Sequence, residues 1–302
     1  MSTSPSPAMA PPSMHTGVIQ VTAGAAMISF SPVFVNLAHV GPTAAGFYRM
    51  LFGGMILWAA ALVRRERLWH GFNHFLQLFI CSIFFSLDLA FWHRSVYYVG
   101  PGLATLLANF QVFFLAGFGI LALGERPTWK TALSVPLAVA GLYLVVGINW
   151  AGLGSQYKIG IVFGLIAALC YSAYILALRR LLTAHGRASK LADITLISLL
   201  TAGIMGPWAW AQGEGFGIPD LQSWGALVGY GLIPQVLGWL LISTGIVKID
   251  ASRAGLLLLL QPTLAFVWDI LFFARPTGLM EILGALVTLF SIYLGTISLK
   301  RR

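Results

Sequence analysis

Charged residues are scarce in this sequence, and acidic residues are the scarcest. Lys, Arg, Asp and Glu together make up 9% of its 302 residues, and only nine residues are Asp or Glu. A soluble domain carries about 25% charged residues, so this composition excludes one. Hydrophobic residues account for 58% of the chain, with a mean hydropathy of +0.85. We therefore predict an integral membrane protein.

Short segments of alternating apolar and polar residues, which form transmembrane β-barrels, are also missing. The apolar residues occur instead in continuous runs. A helix rises about 1.5 Å per residue, so about 20 apolar residues cross the hydrocarbon core. The predicted fold class is all-α, with ten transmembrane helices. They lie at residues 16–36, 43–63, 75–99, 101–123, 129–147, 159–180, 190–211, 222–247, 251–273 and 278–298.

Cysteines and catalytic motifs are nearly absent. Cys81 and Cys170 fall within apolar runs, and two cysteines are too few for a disulfide framework or a metal cage. The chain has no H-E-x-x-H, no G-x-S-x-G and no glycine-rich phosphate loop; His70 and His74 are four apart but lack the glutamate of a zincin. We expect no metal, no cofactor and no enzyme activity.

Lys and Arg are missing from residues 1–15, which are rich in Pro and Ser. A secretory signal peptide begins with a basic region, so this segment is not interpreted as one. Its composition is typical of disorder. We predict that residues 1–15 form a disordered cytoplasmic tail.

The basic residues give a net charge of +9, and their placement predicts the orientation of the chain. Fourteen of the 18 lie in segments that follow even-numbered spans. Lys and Arg concentrate in cytoplasmic segments, so both termini are predicted to be cytoplasmic. Topology accounts for the charge, and no nucleic-acid partner is expected. The fourteen are Arg64, Arg65, Arg67, Arg126, Lys130, Arg179, Arg180, Arg187, Lys190, Lys248, Arg253, Lys300, Arg301 and Arg302.

The chain contains two similar halves. Residues 100–111, "GPGLATLLANFQ", align with 250–261, "DASRAGLLLLLQ", which places Gln111 over Gln261, and "RPT" occurs in both halves. The halves are predicted at 16–150 and 151–302, with five spans each. Because five is odd, the second half is inverted in the membrane, as in many secondary transporters. A duplicated bundle of another function would show the same pattern.

Several stretches resemble the drug/metabolite transporter superfamily of EamA type. They include "SPVFVNLAHVGPTAAGFYRMLFGG", "GERPTWKTALSVPLAVAGLYL" and "ARPTGLMEILGALVTLFSIYL". Overall similarity is closest to bacterial inner-membrane exporters of aromatic amino acids. The resemblance implies ten helices, export of small metabolites, and a central cavity lined by the first, third, fourth, sixth, eighth and ninth spans. Ala274 stands where the first half has Glu125, so any role of that glutamate is not repeated.

Five spans carry a polar side chain near their middle, the depth at which transporter sites lie. Helical spacing extends several of them into a face that includes aromatic residues. Such a combination is typical of a small-molecule site. The predicted substrate-binding residues are Asp88, Trp92, Gln111, Tyr171, Tyr174, Gln235, Trp239 and Gln261.

Each of these residues also has a structural interpretation. A membrane glutamine can bond to a neighbouring helix, and a tryptophan can serve packing alone. Asp88 is either functional or one half of a buried ion pair with Arg49, Arg94 or His93. We interpret Arg49 as structural, satisfying the end of the first helix.

Prolines inside spans remove a backbone donor and free a carbonyl. Membrane proteins tolerate such breaks beside protein or a water-filled cavity. We predict hinges at Pro32, Pro234 and Pro262, the last bending the ninth helix beside Gln261.

These features together predict a secondary transporter that moves a small molecule across the bilayer by alternating access. We expect it to act as a monomer. A pore-type channel or facilitator for other small amphipathic solutes or drugs is the alternative. A channel requires rings of charges or carbonyls along an open path, whereas this sequence offers one central carboxylate and bulky aromatics. A membrane-embedded enzyme is disfavoured because no catalytic motif occurs.

The orientation can be tested with a reporter that is active only in the periplasm. Because the basic segments should remain in the cytoplasm, the reporter should be silent when fused after Arg302 and active when inserted near Gly152. Activity at the carboxyl terminus would contradict both the span count and the inverted repeat.

Overall fold

The computed structural model describes residues 14–123, 129–146, 152–184, 189–245, 248 and 257–298. Within these ranges the regular structure is helical, without strands. The helices are α1 (Met14–Ser29), α2 (Ser31–Leu37), α3 (Pro42–Val63), α4 (Phe72–Val99), α5 (Pro101–Ala108), α6 (Gln111–Leu123), α7 (Trp129–Val146), α8 (Ser155–Ala184), α9 (Lys190–Ala211), α10 (Leu221–Tyr230), the π-helix α11 (Gly231–Gly238), α12 (Trp239–Gly245), α13 (Leu260–Phe273) and α14 (Leu279–Ser298).

Seven helical stretches are long and apolar enough to cross a membrane, and three further apolar helices are shorter. Many large apolar side chains on them are exposed, as expected for surfaces that face lipid; Leu121 is 88% exposed and Val63 is 85% exposed. The all-helical membrane fold is therefore confirmed for the described residues. The count of ten spans stays a prediction. The seven are His15–Leu37, Pro42–Val63, Phe72–Val99, Pro101–Leu121, Ser155–Leu178, Leu191–Ala211 and Leu221–Ile242; the shorter three are Ala132–Val145, Leu260–Phe273 and Leu279–Leu294.

Two connections between consecutive stretches are short, so the stretches that they join run in opposite directions. Residues 38–41 join α2 to α3, and Gly100 alone separates α4 from α5. Gly100 has a φ of 85°, a conformation that glycine adopts without strain. We call the side on which α1 begins the near face and the side on which α2 ends the far face.

The most extensive packing joins helices that are distant in sequence. α4 packs along α8, α7 along α14, and α3 along α9, while α1 contacts α11 and α12, and α5 contacts α13. A buried apolar cluster that includes Val96, Val99, Leu103 and Phe266 fills the far-face half between α4, α5 and α13.

Polar contacts fasten the helix ends at the far face. The Glu214 carboxylate accepts hydrogen bonds from the backbone N–H groups of Thr43 (3.2 Å) and Ala44 (2.8 Å), which caps the first turn of α3. Asp269 caps α5 in the same way, accepting from Gly102 N–H at 2.9 Å. Asp220 caps α10, and the hydrogen bond from Ser223 N–H holds the pKa of its carboxyl below the usual value.

The three predicted hinge prolines lie at or beside interruptions of helices. Phe30 separates α1 from α2, and Pro32 occupies the first turn of α2. Pro234 lies inside the π-helix α11. Pro262 does not bend a continuous helix: the helix is interrupted at Leu259, and Pro262 lies in the first turn of α13, where its missing N–H costs no helical hydrogen bond.

Some sequence predictions fall outside the described residues. They concern residues 1–13 of the predicted tail, the "RPT" at 126–128, Glu125, and six of the fourteen basic residues. Those six are Arg126, Arg187, Arg253, Lys300, Arg301 and Arg302.

The close approach of α7 and α14 depends on glycine. A Cβ atom on Gly141 would lie 2.7 Å from the backbone nitrogen of Thr288 and 2.9 Å from the carbonyl oxygen of Gly284. Both atoms belong to the backbone, so neither can move aside without separating the helices. Small residues allow such contacts between membrane helices.

We expect Gly141→Ala to destabilise the protein by about 1–3 kcal/mol, the usual cost of overpacking. Thermal unfolding in detergent measures the effect. Gly117→Ala is the matched control, because a Cβ at Gly117 meets nothing within 4 Å. Equal melting temperatures for the two variants would show that the α7–α14 contact tolerates a methyl group.

Candidate substrate-binding cavity

A cavity of about 370 Å³ lies among the helices of both halves. Small-molecule sites typically measure about 300–1,000 Å³, so its size suits a compact ligand. Its walls come from α1 to α6, from α8, from α12 and from the start of α13. The residues that matter below are Ser31, Pro32, Arg49, Phe85, Asp88, Trp92, Gln111, Tyr171, Tyr174, Trp239 and Gln261.

Seven of the eight substrate-binding residues predicted from the sequence line this cavity. Gln235 is the exception. It is buried outside the lining, where its amide bridges α3 and α9 by accepting from Arg49 Nε (3.0 Å) and donating to Ser198 Oγ (3.3 Å). The seven are Asp88, Trp92, Gln111, Tyr171, Tyr174, Trp239 and Gln261.

Stacked aromatic rings form one wall of the cavity. Tyr174 lies between Phe85 and Tyr171, with centroid separations of 4.6 Å and 5.9 Å and interplanar angles of 16° and 27°. Trp92 and Trp239 add two indole rings to the lining. These residues offer flat apolar surface to a ligand.

Asp88 is the only acidic residue among those that line the cavity, and it is 7% exposed. Within the described ranges, no residue forms a hydrogen bond or an ion pair with its carboxylate. The Arg49 guanidinium is near enough to act on it electrostatically. A carboxylate at this depth is costly unless it is protonated, hydrated or bound to a ligand.

Two of the partners considered for Asp88 are engaged elsewhere. Arg94 donates to Thr43 Oγ1 at 2.9 Å and to Gln212, and it lies 4.0 Å from the Glu214 carboxylate at the far face. His93 contacts the backbone carbonyl of Leu89 (2.6 Å) and the Tyr230 hydroxyl (3.1 Å). Neither residue neutralises Asp88.

Arg49 does not satisfy the end of the first helix, contrary to the sequence interpretation. It lines the cavity, is 6% exposed, and donates from Nε to Gln235 Oε1 and from a terminal nitrogen to the Tyr230 hydroxyl, each at 3.0 Å. Arg49 lies seven residues after Pro42, about two turns into α3, and therefore well inside the helix.

The hydrogen bonds around Arg49 fix the tautomer of His93. A carbonyl can only accept, so Nδ1 of His93 carries the proton that it donates to Leu89 O. Nε2 is then an acceptor for the Tyr230 hydroxyl, whose oxygen accepts in turn from Arg49. This series of hydrogen bonds links α3, α10 and α4 through groups that carry no negative charge.

Further polar atoms in the lining have no partner. Gln111 Oε1 and Ser31 Oγ are both buried, and neither has a hydrogen-bond partner within the described part of the chain. Buried polar atoms in proteins are nearly always hydrogen-bonded, so atoms left without a partner at a cavity point to a ligand or water. They offer an acceptor and a hydroxyl beside Asp88 and Arg49.

Arg49, Ser31 and Phe85 are among the lining residues that the sequence reasoning did not predict. Phe85 could have been found, because it lies one helical turn before Asp88 and therefore on the same face. Ser31 precedes Pro32 in "SFSPVF", where polar residues interrupt an apolar run. Nothing in the spacing around Arg49 distinguishes a cavity arginine from one at a helix end.

The described residues do not include a group of three or more His, Cys, Asp or Glu side chains that could hold a metal ion. Cys81 and Cys170 are both free thiols. The residues that line the cavity offer charge, hydrogen-bonding groups and aromatic surface to a ligand.

On the far-face side of Trp92 the interior is filled. Val96 and Val99 follow it along α4, are 1% and 5% exposed, and pack with Leu103, which is fully buried. At the far face, the Glu214 carboxylate caps the first turn of α3. Along α4 the cavity is therefore separated from the far face by packed side chains.

Known proteins share this sequence pattern and this fold. An uncharacterized transporter of Archaeoglobus fulgidus is 23% identical over 286 residues, which cover 91% of this chain and 94% of that protein. The uncharacterized transporter YetK of Bacillus subtilis is 26% identical over 231 residues, covering 74% of this chain and 68% of YetK. A solved crystal structure has the same fold, with a TM-score of 0.66 at 18% identity, and covers 96% of this chain and 100% of its own.

The profile of the EamA-like transporter family matches two segments, residues 15–147 and 158–297. The two matches together span most of the chain, including every residue of the cavity lining discussed above. The chain is a multi-pass membrane transporter and belongs to the EamA-like transporter family.

Proposed function

We propose that this transporter exports small metabolites, aromatic amino acids above all, across a bacterial inner membrane. The observation that carries the proposal is a cavity that combines stacked aromatic rings with the Asp88 carboxylate, which has no hydrogen-bond or ion-pair partner among the described residues. A flat apolar side chain fits the rings, and an ammonium group fits the carboxylate. In this proposal the near face is cytoplasmic, both termini lie there, and one copy of the chain suffices.

The packing pattern supports an inverted repeat of two five-span halves. If α1–α2 is equivalent to α8, α3 to α9, α4 to α10–α12, α5–α6 to α13, and α7 to α14, each major contact has an equivalent. The α3–α9, α5–α13 and α7–α14 contacts map onto themselves, and the α4–α8 contact maps onto that of α11 and α12 with α1. A pseudo-twofold axis would produce this pattern.

A matching pair of helix interruptions also supports the repeat. The fourth predicted span breaks at Asn109 and Phe110 and resumes at Gln111; the ninth breaks at Leu259 and resumes at Leu260, directly before Gln261. Both breaks lie directly beside the aligned glutamines, which line the cavity together. Irregular backbone beside a central site is typical of transporters that work by alternating access.

Packed side chains fill the space between the cavity and the far face along α4. This packing supports alternating access and argues against an open pore. In this proposal the described conformation is closed toward the periplasm, and export requires separation of the α4, α5 and α13 packing. A channel would conduct without such a step. Counterflow, in which unlabelled substrate on one side drives uptake of labelled substrate from the other, distinguishes a carrier from a channel.

The substrate class can be tested with purified protein in liposomes and a panel of amino acids. Aromatic contacts contribute about 0.5–1.5 kcal/mol per pair, enough to prefer Phe or Trp over Ala. We expect counterflow of Phe and Trp at lower substrate concentrations than Ala or Glu. Equal transport of Ala, Glu and Phe would rule out an aromatic specificity.

The roles of Gln261 and Pro262 can be separated by kinetics. Gln261→Leu removes hydrogen bonds from the site and should raise the apparent KM by roughly the tenfold that about 1.4 kcal/mol represents. Pro262→Ala supplies an N–H that can bond across the Leu259 interruption, so it should mainly lower the maximal rate by favouring one conformation.

Initial rates per folded transporter measure both effects. Pro136→Ala is the matched control, because Pro136 is an exposed proline inside α7, away from the cavity. Unchanged kinetics in both the Gln261 and Pro262 variants would mean that these residues serve packing alone.

A further inference from the structure

Two buried charges of opposite sign line the same cavity without pairing to each other. Asp88 on α4 and Arg49 on α3 are 7% and 6% exposed, and the structure contains no ion pair between them. Each interacts with the other electrostatically but without direct contact. The cavity therefore presents a positive and a negative group to a ligand.

Arg49 has donors left for a ligand. Two of its N–H groups are used, and both acceptors, Gln235 Oε1 and the Tyr230 hydroxyl, are uncharged. In the described part of the chain no carboxylate pairs with it, and the remaining N–H groups belong to a side chain that lines the cavity. A guanidinium with free N–H groups binds a carboxylate through two parallel hydrogen bonds.

Removing one partner of a buried charge pair leaves the other charge uncompensated, which strongly destabilises a protein. A ligand that carries both charges compensates Arg49 and Asp88 together. A ligand with only one charge compensates one residue and is repelled by the other. The arrangement therefore selects zwitterions over simple cations and over anions.

We propose that Arg49 and Asp88 together bind the carboxylate and the ammonium group of a zwitterionic α-amino acid. This inference rests on the proposed function and adds which atoms recognise the backbone of the substrate. Arg49 donates to the α-carboxylate, and the Asp88 carboxylate accepts from the α-ammonium group. The side chain of the substrate then extends along Tyr171 and Tyr174.

Gln235 and Tyr230 act as positioning residues for Arg49. They hold two sides of the guanidinium, and each is fixed by a further contact, Gln235 to Ser198 and Tyr230 to His93. These two contacts use Nε and one terminal nitrogen, and the other terminal nitrogen has no partner among the described residues. This gives Gln235 a role in the site although it does not line the cavity.

The test is competition against counterflow of labelled phenylalanine in proteoliposomes. The competitors are unlabelled phenylalanine, phenylalaninamide, which lacks the carboxylate, and 3-phenylpropionate, which lacks the ammonium group. For the wild-type protein we expect both analogues to compete at least tenfold more weakly than phenylalanine. Equal competition by all three would overturn the inference and leave the proposed export of aromatic amino acids intact.

Substitution of Arg49 and of Asp88 should each abolish the preference for phenylalanine over a different one of the two analogues. Arg49→Met should remove the preference for phenylalanine over phenylalaninamide, and Asp88→Asn should remove the preference over 3-phenylpropionate. General damage to the cavity would weaken all three ligands equally in both variants, and that outcome would overturn the inference. Arg49→Lys keeps the charge and should retain part of the preference for the carboxylate.

Gln235→Leu tests the positioning role. It leaves both charges and the cavity lining in place, so phenylalanine should lose affinity relative to phenylalaninamide while competition by the amide itself stays unchanged. A uniform loss for both would assign Gln235 to packing.

If no aromatic amino acid is transported but an aliphatic zwitterion is, the aromatic specificity fails and the same competition is run with its amide. If no α-amino acid is transported, both proposals fail.

Discussion

Charge burial in a low-dielectric interior is the constraint on which the rest of this structure depends. The hydrocarbon core offers no water to a carboxylate or a guanidinium, so each must find a partner, a hydrated cavity or a ligand. At the far face Arg94 meets this requirement through Glu214 and Thr43. At the cavity Arg49 has only uncharged partners, and Asp88 has none in the described ranges. On that contrast we base the proposal that Arg49 and Asp88 bind substrate, whereas Arg94 holds helices together.

The helical fold and seven substrate-binding candidates in the lining could be predicted because they depend on periodicity and depth. Continuous apolar runs define the spans, and polar residues at mid-span define the level of the cavity. Trp92 lies four residues after Asp88, and Tyr174 lies three residues after Tyr171. Helical spacing places each pair on one face, so the two mid-span polar residues predicted two further lining residues. The glutamines at 111 and 261 followed from the repeat alignment, and the helix interruptions beside them lie at matching positions.

Gln235 and Arg49 show where sequence reasoning stops. Both lie at a suitable depth, but which of two side chains on facing helices reaches the cavity depends on the rotation of α3 against α11. In the structure, Gly53 faces the side chain of Gln235, where a Cβ atom would come within 2.6 Å of its Cγ, and Arg49 donates to the Gln235 amide from the cavity lining. Pro262 shows the same limit, since a proline predicts a break but not whether the break falls before or at the residue.

The central claim is that a zwitterionic amino acid bridges Asp88 and Arg49. Solid-state NMR on proteoliposomes measures this directly, as the distance between the ammonium nitrogen of ¹⁵N-phenylalanine and a ¹³C-labelled aspartate carboxyl carbon. A charge-assisted hydrogen bond of about 2.8 Å places these atoms within about 4 Å. We expect such a contact in the wild-type protein and its loss in Asp88→Asn. Bound phenylalanine without any aspartate carbon at this distance would contradict it.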